Sequence, residues 1–575
     1  MRRQAGSGPT ADEGAAGAFV VFVAVGVYLL LFRSYGFDPI DEGTLLAQID
    51  RVRRGEVPYR DFHTGYTPGL FYLNAWLFEI FGVQVQVVRS ALAVLHAAEM
   101  SALYWLARRL TNAGAAGGLV ALCVVAFRPI ATGAFALFNV PYAGWYAQAL
   151  AAVALVLTLT AASRDRGWIV AGTVWGLVFC FKQNTGLFGL GAAACFVALD
   201  DRPERRATIV WGIALASALL AGGAVVLRAA GTTPGGATAV GSALVPLAVA
   251  IVRARPGRAF ARRVAGLLAG FGLVATPVLL GAILLAGFTP VSRSIFHVGS
   301  GAAAVYAQAY PSLAELADTL GAGLGSLRAG RQAFEALWFV IFPVGVTLAA
   351  CTLAWRPNSA SPAWRLAVSA GVLFQLQLLP RSDFWHLAHV AGPLLLVTVG
   401  LAMQVGRWAP VVPGLATVGL WVLVVARAVP TGAVVRDCLR LPRQTDRPPL
   451  ARADLRWDLV TDETIRAVPD VVRALRGART VVGFPALSGL GFLAAAESPL
   501  PHDYFFPGLL DDRERRAVLA VLASTPPDAV IILRDERAFT AAATHDYPTV
   551  LRAFEALCPF TERIGSFEVR RRVTP

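Results

Sequence analysis

The stretch FDPIDEGTLLAQIDRVRRGEVPYRDFHTGYTPGLFYL, residues 37–73, is charged and aromatic within an otherwise apolar chain. An apolar run at 16–32 precedes it and predicts a first membrane-spanning helix. Residues 41–54 predict an amphipathic helix lying at the membrane surface. The apolar residues that share one face of this helix are Leu45, Leu46, Ile49 and Val52. Residues 68–82 are apolar but short, which favours a membrane-edge or re-entrant helix.

The composition of the whole chain is that of a membrane protein. Of its 575 residues, 56% are hydrophobic and only 15% are charged. A soluble protein needs about 25% charged residues to cover its surface, so a soluble multidomain protein is excluded. The net charge is +14, but the basic residues stand in short clusters between apolar runs and no nucleic-acid motif is present. We therefore expect membrane lipids, and no nucleic acid, as partners.

Thirteen apolar segments predict an all-α polytopic membrane bundle. After the run at 16–32 they are 85–107, 113–128, 141–162, 168–182, 185–199, 208–229, 237–252, 264–287, 333–355, 364–380, 385–404 and 409–429. Arginines gather in alternate turns, for example at Arg164, Arg205, Arg258 and Arg407. The positive-inside rule then predicts a cytoplasmic N-terminus and an extracytoplasmic C-terminal region in the plasma membrane.

The chain is expected to divide into a membrane domain, 1–430, whose first outer loop is 33–82, and a C-terminal domain, 431–575. The C-terminal part alternates strand-like 478–485, a polar helix at 511–524 and strand-like 527–535, with a further strand in 560–573. This order predicts a small α/β domain. Its first strand is followed by FPALSGL rather than a glycine-rich phosphate loop, so a nucleotide site is not expected. Two cysteines of this region, Cys438 and Cys558, could pair.

The first outer loop contains the residues best suited to chemistry. Asp38, Asp41 and Glu42 follow the first helix within five residues. A carboxylate here can act as a general base toward a hydroxyl or as a metal ligand. The same acids would also stabilise the N-terminus of the following helix through its dipole. The loop continues with polar ring side chains that could bind a substrate: Tyr59, His63 and Tyr66.

Other candidates lie at the outer ends of later spans or inside one of them. Lys182, within FCFKQNTG, is the only lysine of the chain. It either marks a site for a compact cation or ends a helix as a snorkelling side chain. His96 and Glu99 fall inside the second span and predict a mutually satisfied interhelical pair, with a proton path as the alternative.

The segment LPRSDFWHLAH, 379–389, carries a cluster of Arg381, Asp383, His386 and His389. It could bind a metal, but an ion-paired loop is the simpler expectation. Four arginines of the first outer loop, in and after its predicted helix, either bind anionic groups or reflect that long loops translocate regardless of charge. They are Arg51, Arg53, Arg54 and Arg60.

The first outer loop resembles that of the GT-C superfamily of membrane glycosyltransferases, in the branch of protein O-mannosyltransferases and lipid A aminoarabinose transferases. The resemblance rests on Asp41-Glu42 after the first span, GEVPY at 55–59, and PGLFYLNAWLFEIFG at 68–82. It covers mainly residues 17–130. The branch usually has two prolines where this chain has Thr67-Pro68.

The resemblance implies a transferase that takes a sugar from a polyprenyl-phosphate donor to an acceptor glycan, lipid or protein on the outer face, with inversion. It maps the family carboxylate to Asp41, with Glu42 orienting the acceptor or holding a cation. We expect Lys182, Arg381 and Arg54 to contact the donor phosphate, and the polar groups of the cluster at 381–389 to face the donor headgroup. No cofactor is expected, and metal dependence stays open. The alternatives are a transporter or flippase of a lipid-linked saccharide and a non-catalytic binder of one.

Overall fold

The computed structural model describes residues 11–201, 209–229, 233–296, 307–323, 326–405, 411–440, 450–535 and 538–572. Residues up to Leu439 within these ranges are almost entirely helical. The helices run over Ala11–Leu30, Asp41–Arg53, Gly69–Phe81, Val85–Ala107, Ala113–Val125, Ala143–Arg164, Trp168–Phe181, Gln183–Asp200, Ile209–Ala229, Pro234–Gly241, Leu244–Ala254, Arg258–Ala286, Phe288–Ile295, Leu313–Ala322, Leu327–Trp355, Pro362–Gln375, Phe384–Val405 and Val411–Leu439.

The multi-pass membrane class predicted from the composition is confirmed. Within the described ranges, eight helical segments are long and apolar enough to cross a membrane, and four shorter apolar helices accompany them. Every one of the thirteen predicted segments falls on a helix, with 237–252 divided between two. The number of thirteen crossings and the orientation of the termini stay predictions. Arg205 and Arg407, used for that orientation, lie outside the described residues.

The amphipathic helix of the first outer loop runs over Asp41–Arg53, and we call it the loop helix. Its predicted apolar face is buried, since Leu45, Leu46, Ile49 and Val52 are each at most 8% exposed. Its expected position at the membrane surface stays a prediction. The helix packs between Gly69–Phe81 and a helix of the C-terminal region, Ser488–Leu493, so protein covers it on both sides. An amphipathic pattern shows that one face is buried but not what buries it.

Two small sheets complete the described fold. A hairpin of β1 (Ile130–Ala131) and β2 (Phe135–Ala136) follows the helix Ala113–Val125. The C-terminal region contains β3 (Val481–Phe484), β4 (Ala529–Leu533), β5 (Phe560–Ile564) and β6 (Phe567–Arg571) in the order β3-β4-β6-β5. β3 and β4 are parallel, and β6 is antiparallel to both of its neighbours. Helices surround this sheet at Glu463–Arg466, Val468–Ala474, Ser488–Leu493, Asp512–Ser524, Ala538–Asp546 and Pro548–Leu557.

The C-terminal region is thus an α/β unit, as its sequence predicts, but three details differ. The expected boundary at 430/431 falls inside the helix Val411–Leu439, because the apolar pattern continues past Pro430. The predicted final strand is a hairpin of β5 and β6 that turns at Gly565, whose φ is +57°. Cys438 and Cys558 are both free rather than paired.

Glycines bring two apolar helices of the bundle, Trp168–Phe181 and Arg258–Ala286, into backbone contact. A Cβ added to Gly172 would lie 2.1 Å from the carbonyl oxygen of Leu267, and one added to Gly270 would lie 2.0 Å from that of Ile169. Membrane helices gain packing and no hydrophobic driving force when they associate, so small residues at the contact decide how closely they approach.

Gly270→Ala should therefore separate these helices and destabilise the bundle by about 1–3 kcal/mol. Gly281→Ala is the matched control, because it lies on the same helix and its added Cβ meets nothing within 4 Å. Thermal unfolding of both variants in detergent measures the difference. Equal stability of the two variants would contradict the close contact.

Candidate active site

Asp41 is the first residue of the loop helix, and its carboxylate accepts a hydrogen bond from the hydroxyl of Tyr142. Tyr142 directly precedes the helix Ala143–Arg164, so the bond joins the outer loop to the bundle. Burial raises the pKa of Asp41, while the bond from Tyr142 and the charges of Arg381 and His386 act against this rise. The result is a half-buried carboxylate that is more basic than an aspartate in water.

Asp38 lies three residues earlier and is only 8% exposed. Burial, and then the neighbouring Asp41, raise the pKa of Asp38 to about 8. This rise favours the neutral form of Asp38, which reduces its repulsion of the Asp41 carboxylate. Its backbone amide donates to Oε2 of Glu42 at 3.3 Å, which keeps the three acids of this turn together.

The segment 381–386 lies beside Asp41 and is internally bonded. Asp383 Oδ2 accepts from Arg381 Nε at 2.6 Å, and Oδ1 accepts from the backbone amide of His386 at 2.8 Å. His386 Nδ1 lies 2.9 Å from the same Oδ1. Burial alone would raise the pKa of Asp383, but the bonds from His386 and the charge of Arg381 lower it to about 2. The expected ion-paired loop is found, and it holds Arg381 and His386 toward Asp41.

Lys182 stands in the turn between the helices Trp168–Phe181 and Gln183–Asp200. Its extended backbone, with φ −150°, separates the two helices, and its ammonium lies within electrostatic reach of Asp383. Burial lowers the pKa of Lys182 to about 8, and the charge of Asp383 acts against this. The lysine is thus an ammonium at neutral pH that deprotonates more readily than a lysine in water.

The structure brings together residues from four separate stretches of chain. Tyr66 lies within electrostatic reach of both Asp41 and Arg381. His389 joins the cluster from the helix Phe384–Val405, with its ring 4.1 Å from that of Trp145. Within the described residues, neither ring nitrogen of His389 has a hydrogen-bond partner. Its imidazole therefore keeps hydrogen-bonding capacity beside the cluster.

Two sequence candidates of the first outer loop, Tyr59 and His63, have other contacts. The hydroxyl of Tyr59 donates to the carbonyl oxygen of Tyr66 at 2.6 Å, so Tyr59 holds the backbone of Tyr66 in place. The amide of His63 donates to the carbonyl oxygen of Pro501 at 2.7 Å, and its ring lies 5.4 Å from that of His502. His63 thus joins the loop to the C-terminal region.

Arg54, expected at a phosphate, bonds Oδ2 of Asp50 at 2.7 Å and lies 3.5 Å from Glu497. Its spacing of four residues from Asp50 along the loop helix makes that pair local. Three further arginines of this loop are likewise paired with carboxylates. The pairs are Arg51 with Glu56 and Asp503, Arg53 with Asp50 and Glu79, and Arg60 with Asp61.

Glu42 forms a buried ion pair that the sequence reasoning missed. Arg89, in the helix Val85–Ala107, binds both carboxylate oxygens of Glu42, at 2.6 and 2.7 Å. Its remaining N–H groups donate to the carbonyl oxygens of Arg33, Tyr35 and Gly36. Glu42 therefore anchors the loop, in place of the expected role toward the acceptor or a cation. An arginine within an apolar span needs a charged partner, so the position of Arg89 in the sequence could have predicted this ion pair.

The pair predicted inside the second span is a group of three. His96 Nδ1 lies 3.6 Å from Glu99 Oε2, and Arg128 bonds both of them. The three side chains satisfy one another, as predicted, but not between helices, because His96 and Glu99 lie on one helix and Arg128 lies in the loop after Val125. For the metal question, the described residues contain no group of three His, Cys, Asp or Glu arranged to hold an ion.

Residues 65–227 match the family model described as dolichyl-phosphate-mannose-protein mannosyltransferase. The chain resembles the GT-C membrane glycosyltransferases. This confirms the resemblance drawn from the first outer loop. The match covers less than a third of the chain and begins after Asp41 and Glu42, so their roles depend on the geometry described above. No curated protein matches.

Among solved structures, the oligosaccharyltransferase AglB from Archaeoglobus fulgidus, in complex with an inhibitory peptide and a dolichol-phosphate, is 12% identical, with a TM-score of 0.44 over 96% of this chain and 74% of that one. ArnT from Cupriavidus metallidurans, bound to undecaprenyl phosphate, is 13% identical, with a TM-score of 0.35 over 97% and 98%.

Arg89→Met should lower the free energy of unfolding by about 3–5 kcal/mol, because it leaves the Glu42 carboxylate buried without its partner. The double variant Arg89→Met with Glu42→Leu should recover much of this loss. Denaturant unfolding of the single and double variants measures both values. A double variant less stable than Arg89→Met alone would contradict the assignment.

Proposed function

We propose that this protein is a membrane glycosyltransferase that moves a sugar from a polyprenyl-phosphate donor to an acceptor hydroxyl at the outer face of the membrane, with inversion. The observation that supports the proposal is a cluster of charges at the end of the bundle that carries the first outer loop. Arg381 lies within electrostatic reach of the basic carboxylate of Asp41, and Lys182 lies within reach of the neighbouring Asp383. The family match over 65–227 supports the same reaction class.

Asp41 is the general base of the proposed reaction. The acceptor hydroxyl attacks the anomeric carbon as its proton passes to the carboxylate, and a single base of this kind gives one displacement with inversion. Tyr142 holds Oδ2, which leaves Oδ1 for the acceptor. The raised pKa of Asp41 improves it as a base, since the proton must transfer to it near neutral pH.

Lys182 and Arg381 stabilise the negative charge of the leaving group. The polyprenyl phosphate gains negative charge as the bond to the sugar breaks, and fixed cations stabilise that charge most strongly where water is excluded. Asp383 holds Arg381 in place at 2.6 Å, so little reorganisation is needed during the step. Lys182 offers a compact ammonium that can approach one phosphate oxygen. Arg54, which binds carboxylates, has no part in this proposal.

Incubation of the purified protein with a panel of labelled polyprenyl-phosphate sugars, with and without chelator, tests the reaction. Asp41→Asn should keep donor binding and lower turnover by about 10²-fold or more, because the amide cannot accept the proton. Asp61→Asn, in the same loop and paired with Arg60, is the control and should stay near wild type. Donor binding without any cleavage by the wild type would favour a transporter, and full turnover by Asp41→Asn would exclude Asp41 as the base.

Lys182 gives the reaction a pH dependence of defined sign. With a pKa of about 8, its charge is present below pH 8 and is lost above it, so leaving-group stabilisation should fall as the pH rises through 8. Lys182→Arg keeps the charge and should flatten this alkaline fall, at a lower overall rate because the guanidinium is larger. Lys182→Met should be slow at every pH. The measurement is turnover from pH 6 to about 10, and an unchanged alkaline limb in Lys182→Arg would remove Lys182 from the step.

A further inference from the structure

The C-terminal α/β unit touches the loop helix directly beside Asp41. Its helix Ser488–Leu493 crosses the loop helix where Gly489 meets Gly43. A Cβ added to Gly489 would lie 2.2 Å from the Cα of Gly43, and one added to Gly43 would lie 2.8 Å from the Cα of Gly489. Each contact is with backbone, which has no side-chain rotation to relieve it.

This crossing bears on the turn that holds the catalytic carboxylate. The amide of Gly43 donates to the carbonyl oxygen of Asp38 at 2.9 Å, and that bond closes the turn containing Asp41. A shift of Gly43 would therefore shift Asp41 with it. On the opposite side of the turn, Arg89 fixes Glu42, so the turn is held between a bundle helix and the C-terminal unit.

A second contact fixes the loop helix along its length. Asp503 of the C-terminal unit accepts from Gln48 Nε2 at 3.1 Å and from Arg51 Nη1 at 3.3 Å. Arg51 Nη1 also donates to the carbonyl oxygen of Leu500 at 2.8 Å. Gln48 and Arg51 lie three residues apart and share one face of the helix, so these bonds oppose its rotation and sliding.

We propose that Gly489 is a positioning residue of the reaction proposed above: by having no side chain, it lets the C-terminal unit contact the Asp41 turn and position that carboxylate for the acceptor hydroxyl. The inference depends on the proposed function. Catalytic groups must be held within about 0.5 Å of their productive geometry. A methyl group at 489 forces the two backbones apart by on the order of 1 Å, a displacement that can cost about 10²-fold in rate.

The test compares Gly489→Ala with Gly491→Ala in the same short helix. The nearest atom to a Cβ on Gly491 lies at 3.6 Å, so alanine is accommodated there while the helix propensity changes equally. For Gly489→Ala we expect kcat to fall about 10²-fold while the Kd for polyprenyl phosphate changes less than about twofold. Gly491→Ala should keep both values near wild type. Parallel losses in kcat and donor affinity, or wild-type kcat in Gly489→Ala, would overturn the proposal.

Amide hydrogen exchange provides a readout that needs no activity. Gly489→Ala should speed exchange in residues 41–53 relative to Gly491→Ala, and unchanged exchange there would also overturn the inference. If Gly489→Ala does not fold, Asp503→Asn decides instead: it should lower kcat with unchanged donor affinity, and Asp503→Glu should recover part of the rate. Absence of transfer by the wild type, with exchange as expected, refutes the proposed function and leaves the contact itself established.

Discussion

The buried pair between Arg89 and Glu42 is the interaction on which the arrangement of the site depends. Arg89 is fully buried, and its donors bind Glu42 and three carbonyl oxygens of the chain leaving the first helix. Removing two charges from water costs desolvation free energy. The ion pair offsets this cost only when the remaining N–H donors are also hydrogen-bonded, as they are here. Because Glu42 follows Asp41 directly, fixing one fixes the other.

Around this anchor, the charges of the site are held in complementary positions. The carboxylate of Asp383 pairs with the guanidinium of Arg381 and with the ring of His386. The ammonium of Lys182 lies within electrostatic reach of the same carboxylate. In a partly buried site these charges interact more strongly than they would in water. A basic carboxylate and two cations in one cluster can accept a proton and stabilise negative charge.

Two arginines of the first outer loop attach that loop to the C-terminal unit. Arg51 and Arg54 reach Asp503 and Glu497, which lie more than four hundred residues further along the chain. Together with the contact of Gly43 and Gly489, they make the loop helix an interior element shared by two parts of the protein. Their charge, which looked available for lipid headgroups, is used for intramolecular attachment.

The sequence by itself determined the membrane class, the helices and the outer loop, because apolar runs and helical spacing are local properties. It also predicted Asp41, Lys182, Arg381, Asp383 and His386 as site residues, since charged residues at the ends of apolar spans are few. Tertiary structure decided the partners. From the sequence alone Glu42 is equivalent to Asp41, but in the fold Arg89 binds it. Arg54 is a candidate phosphate ligand by sequence, but in the fold it pairs with Asp50 and Glu497. A side chain's type and spacing limit the chemistry it can perform, but its partner depends on which distant segments pack against it, and no local pattern contains that information.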